Sequence, residues 1–146
     1  MGIFNFAKTS SSTDTFTKQE AFLAVALAMS AADGEVVEDE VKGIFAYLLQ
    51  MRMFDGYSQN QLSAVFKKLV KILSNEGVGG LVAVAKSSLP ESLRESAFAC
   101  AVDIALADGK IEDSERALLD ELRGVLEVSE NTAKMVIQVM EIKNRN

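Results

Sequence analysis

Adding 75 to a residue number in the first half of this sequence lands, without a gap, on a matching residue in the second half. Ala24 meets Ala99, Ala26 meets Ala101 and Ala32 meets Ala107, and the run Asp33-Gly34 with Glu40 returns as Asp108-Gly109 with Glu115. Aliphatic pairs extend the match: Leu27 with Val102, Met29 with Ile104, Val36 with Ile111, Ile44 with Leu119, and Met51 with Leu126. Each half therefore reads as an Ala-rich apolar helix, an Asp-Gly turn and an amphipathic helix. The two Ala-rich segments are apolar almost all round, which places them centrally, and their alanines let two backbones approach closely. The expected fold is an all-α, pseudo-two-fold-symmetric bundle with a duplicated helix–Asp-Gly turn–helix unit, in which the first and fifth helices pack together and the second and sixth cover them.

About seven helices are predicted. Thr17 and Glu20 have capping-box spacing and open a helix that runs to Ala32. A second runs from about Val37 to Met53, followed by the turn Phe54-Asp55-Gly56-Tyr57. Ser58 and Gln61 start a third, which ends at Asn75-Glu76-Gly77; a short fourth covers about Gly79 to Ser88. Pro90 suits the first turn of the fifth, where its missing N–H costs little. The sixth spans about Glu112 to Leu126, and Ser129 caps the seventh. Residues 1–16 include the polar tract Thr9-Ser10-Ser11-Ser12-Thr13 and read as a flexible N-terminal segment, leaving 17–146 as one helical domain. No stretch alternates long enough to compete as a strand.

Several function classes are excluded by charge and residue type. A net charge of −6 opposes a phosphate-tracking surface, so no nucleic-acid partner is expected. Cys100 is the single cysteine and the chain has no His, so neither a disulfide nor a Cys-His pair can form within it; a reducing cytoplasm is the expected setting. The longest apolar stretch, Ala21 to Ala32 broken by Ser30, is too short to span a bilayer, and the N-terminus lacks the pattern of a signal peptide. Ile3, Phe4 and Phe6 leave peripheral membrane association open; the Met and Phe residues on apolar helical faces read as core, with a rim around a groove for a protein partner as the alternative for Met51, Met53 and Phe54 near a helix end. Gly77-Val78-Gly79-Gly80 lacks the Lys-Ser/Thr that a phosphate loop requires. No motif for a nucleophile or an organic cofactor is present, and the chain is expected not to be an enzyme; carboxylates acting as acid and base, or holding a catalytic metal, are the remaining route to one.

Two readings of the duplicated turn stand side by side. In the first it is purely structural: Gly supplies a left-handed backbone, Asp bonds neighbouring backbone groups, and Glu answers exposed N–H donors at the start of the next helix. In the second it is a cation site. Asp-Gly followed by Glu six residues after the Gly matches the second half of a calcium-binding EF-hand loop, but Met29 and Ala31, or Ile104 and Leu106, stand where the first oxygen ligands belong. A normal EF-hand is thus excluded, whereas a site shared by the two turns is not. Asp33, Glu35, Glu38, Asp39 and Glu40 crowd the first turn, and Asp103, Asp108, Glu112, Asp113 and Glu115 surround the second. Without a His or thiolate cluster, the fitting ions are calcium, magnesium or manganese rather than zinc or copper. Asp103, on an otherwise apolar helix, needs if buried a cation, an Arg such as Arg94 or Arg116, or a hydrogen-bonding partner.

At these residues the chain resembles the TerB family, named for bacterial tellurite resistance. The resemblance covers about Thr17 to Val128 and is carried by Ala32-Asp33-Gly34-Glu35-Val36 with Glu40, by Ala107-Asp108-Gly109-Lys110-Ile111 with Glu115, and by Arg94. It implies a seven-helix fold with internal two-fold character and a role in a cytoplasmic or membrane-associated stress-response complex. It also implies metal sites at the family's acidic clusters, here Asp33, Glu40, Asp108 and Glu115. The family often has Ser, Thr or Asp three residues before the Glu; Val37 and Glu112 take that place here. The expected function is accordingly a non-enzymatic, tellurite-resistance type of interaction module, either binding divalent cations at its acidic turns or acting as a metal-free scaffold.

Overall fold

In a computed structural model the chain is all-helical; residues 16–32, 36–107 and 109–145 are described. Among them are six α-helices: α1 (Lys18–Ser30), α2 (Glu38–Leu48), α3 (Gln59–Ser88), α4 (Arg94–Ala105), α5 (Asp113–Val125) and α6 (Glu130–Lys143). Short 3₁₀ turns at Arg52–Phe54 and Glu91–Leu93 precede α3 and α4. Asp33, Gly34 and Asp108, from the two Asp-Gly turns, lie outside the described residues, as do positions 1–15 of the expected flexible segment. Phe16 is buried in the core and its N–H donates to Ser88 Oγ at 3.1 Å.

The apolar helix predicted first is the centre of the fold. Thr17 and Glu20 form the capping box, with the Glu20 N–H donating to Thr17 Oγ1 at 3.1 Å and the Thr17 N–H to Glu20 Oε1 at 2.9 Å. From Ala21 to Met29 every residue is buried, so α1 has no solvent face and must be enclosed on all sides. It packs against α2, α3 and α4, while α4 in turn contacts α5 and α6. The fully buried alanines Ala24, Ala28, Ala97 and Ala101 present methyl groups only, the steric condition for close approach of such helices.

Three boundaries differ from expectation. The predicted third and fourth helices follow each other so closely that they count as one span, α3, made of two helical segments that meet at Gly77, and the count is six rather than about seven. The break foreseen at Asn75-Glu76-Gly77 is present, but only as a single residue: Gly77 has φ 75° and ψ −178°, and the chain re-enters helix at once. Pro90 does not begin α4; it precedes the 3₁₀ turn Glu91–Leu93, and α4 starts at Arg94. The second helix stops at Leu48, short of Met53, because the following 3₁₀ turn carries Phe54 into the core. Only glycine adopts the Gly77 backbone without strain, so Gly77→Ala is expected to cost about 1–2 kcal/mol even though a methyl group there meets nothing within 4 Å. Urea denaturation checks this; an unchanged midpoint would show that the kink relaxes freely.

Candidate functional site

The starts of α2 and α5 and the end of α6 open on one cleft of about 510 Å³. Its apolar floor comes from Met29, Ile44, Ile104 and Ala107, and its polar walls include Glu40 and Tyr47 from α2, Asp103 from α4, Glu112, Ser114 and Glu115 around the start of α5, and Lys143 and Asn144. Three residues singled out from the sequence, Glu40, Asp103 and Glu115, are thereby brought to one place. The other two, Asp33 and Asp108, fall outside the described residues.

Asp103 anchors a hydrogen-bonded part of the wall. It is 9% exposed, and its carboxylate is filled by three donors. Tyr47 Oη donates to Oδ2 at 2.9 Å, while Asn144 Nδ2 at 2.9 Å and Lys143 Nζ at 3.2 Å donate to Oδ1. Burial pushes its pKa up, but the hydrogen bonds from Asn144, Tyr47 and Lys143 and the lysine charge outweigh it, holding the carboxyl below its ordinary value. Reciprocally, Tyr47 is raised by its bond to Asp103 and then by burial, and Lys143 is raised by the same carboxylate. The ammonium also lies 5.7 Å from the centroid of the Tyr47 ring, a cation–π distance. Of the companions foreseen for a buried Asp103, the structure supplies hydrogen-bonding partners with Lys143 among them. Arg94 instead bonds Glu127 at 3.1 Å, tying the start of α4 to the residues after α5. Tyr47, Lys143 and Asn144 had no sequence signal of their own.

The two acidic helix starts are built differently. At α5, Glu115 Oε1 accepts the backbone N–H of Glu112 at 2.9 Å, so this carboxylate satisfies an orphan donor of its own helix. At α2, the N-cap Val37 makes no side-chain hydrogen bond; Glu38, Asp39 and Glu40 complement the helix dipole, and Glu38 also pairs with Lys42 at 3.1 Å. Gly109, in the second turn, has φ 100°, the left-handed backbone expected there. Among the described residues no three acidic, His or Cys side chains gather closely enough to hold a metal ion by themselves.

Beside the cleft, Cys100 is held as a thiol. Burial, and then the nearby Asp103 charge, push the Cys100 thiol up to about 11, and its Sγ lies 3.9 Å from Met51 Sδ. Phe54 is buried, its ring edge-on to Tyr57 at 5.4 Å, so it belongs to the core and does not rim a groove. Among the described residues no helix is long and apolar enough to cross a membrane.

The enclosed apolar helix, its helical jacket and the cleft between acidic helix starts define a small all-α domain. The family model described as "Tellurite resistance protein TerB" matches residues 19–137, most of the chain, and the chain belongs to this family. No curated protein and no solved structure matches it.

Proposed function

We propose that this chain is a non-enzymatic, cytoplasmic interaction module of the tellurite-resistance type, whose acidic cleft binds a divalent cation and presents a protein-binding surface that depends on it. The observation that supports this most is that Glu40 and Glu115, separated by 75 positions in sequence, line one cleft. Oxygen-rich surroundings suit calcium, magnesium or manganese. Since the described residues alone do not supply three converging ligands, Glu40, Glu112 and Glu115 form part of the set, together with the carboxylates of Asp33 and Asp108 in the sequence motif. Asp103 accepts three protein donors, two on Oδ1 and one on Oδ2, and serves the cleft first by fixing its wall. With the carboxylates neutralised, repulsion between the two helix starts falls, and their flanking surface takes a different average shape for a partner.

A second reading is favoured by the bond from Glu115 to the Glu112 N–H: the acidic turns are caps and the module is a metal-free scaffold. Glu40→Gln with Glu115→Gln separates the two, because Gln keeps an acceptor oxygen for the cap while removing the charge. Calorimetric titration with calcium, magnesium or manganese is expected to show saturable binding to the native chain and a loss of about tenfold or more in affinity for the double variant, with its melting temperature little changed in the absence of ion. Absence of heat and of thermal shift at millimolar ion overturns the cation reading in favour of the scaffold.

A further inference from the structure

The outer face of α6 is apolar as well as its inner face. Inward, Ala133 is buried and Val136, Ile137 and Met140 pack half-buried on the core. Outward, Met135, Val139 and Ile142 are 59%, 57% and 54% exposed, and their spacing of four and three residues aligns them in one stripe. A surface helix with a second apolar stripe is a helix that lacks a cover.

The charges beside the stripe identify the cover. Glu130, Lys134, Glu141 and Arg145 are all exposed, and none has an ion-pair partner among the described residues. Along α6 and just past its end, where Arg145 lies two residues beyond Lys143, their signs run minus, plus, minus, plus. Reversing the direction turns each sign into its opposite, so a second copy laid antiparallel across a two-fold axis near residue 138 sets Lys134 against Glu141 and Glu130 against Arg145, each pair twice. Antiparallel helices related in this way bring the same edge of each helix together, as an isologous interface requires. We propose that α6 is the homodimerisation surface of this protein, with Met135, Val139 and Ile142 meeting their counterparts and the Lys134–Glu141 pairs fixing direction and register. A helix of 14 residues is only ~21 Å long, and the contact is correspondingly weak, with a dissociation constant of roughly 10–100 µM.

Sedimentation velocity on the full chain tests this. The native protein is expected to pass from monomer to dimer as concentration rises from about 5 µM to about 1 mM, and Val139→Glu to weaken association by about tenfold or more. Because Val139 is exposed, that variant should keep its circular dichroism and melting temperature. Lys134→Glu and Glu141→Lys should each stay monomeric, since each sets like charges together, yet their equimolar mixture should form a heterodimer with both pairs restored. The proposal is overturned if the native chain is monomeric throughout, if Val139→Glu dimerises as well as the native chain, or if the mixture associates no better than its components.

Discussion

Phe98→Ala is expected to lower stability by about 3–5 kcal/mol, a large share of what a domain of this size possesses. Phe98 is among the largest fully buried side chains and projects from α4, which lies directly against α1. Its removal loses the transfer free energy of the ring and leaves a void that α1, enclosed from Ala21 to Met29, cannot easily fill. The check is equilibrium urea denaturation followed by helical circular dichroism. A loss under about 1 kcal/mol would mean that the core repacks, and that α1 and α4 are not the rigid centre described here.

Asp103→Ala is expected to cost about 2–3 kcal/mol near neutral pH, because three donors lose an ionised acceptor together. The pH dependence has a definite sign. Asp103 has a folded pKa below its ordinary value of 3.8, so its contribution is fully present above that value and is lost as pH falls through the lower folded value. Lys143 and Tyr47 have raised folded pKa values, so their share is present below 10.5 and 10.0 respectively and is lost as pH rises through the folded values. The stability gap between native protein and variant should therefore be widest at intermediate pH and close in acid below about pH 4. Denaturation midpoints measured across that range decide the point. A gap that stays constant into acid would show that the carboxylate acts by shape alone.

Local pattern made much of this architecture legible. Thr17 with Glu20 and Ser58 with Gln61 marked two helix starts correctly because a capping box is a contact between residues three apart. The unbroken apolar run after Glu20 announced an enclosed helix, whereas the alignment of Glu40 with Glu115 left a shared site open without deciding that both would line one cleft. The break between the predicted third and fourth helices was legible at Gly77, where non-helical backbone separates two helical segments; only its length was misjudged, since one residue with positive φ divides them without inserting a loop. The wall of the cleft was hidden for a different reason. Tyr47, Lys143 and Asn144 reach Asp103 from 56, 40 and 41 residues away, and periodicity encodes which face of a helix is buried, not which distant donor meets a carboxylate on it.

The central claim is that two acidic turns serve one cation, and manganese titration followed by NMR tests it most directly. Paramagnetic broadening falls steeply with distance, so a shared ion should broaden the backbone amides of Glu40 and Glu115 in parallel, along one saturation curve, and leave those of α3 sharp. Calcium or magnesium in excess should reverse both effects together. Broadening at one turn only, at neither, or evenly over the acidic surface would contradict a shared site and leave Glu115 as the cap that its bond to the Glu112 N–H already makes it.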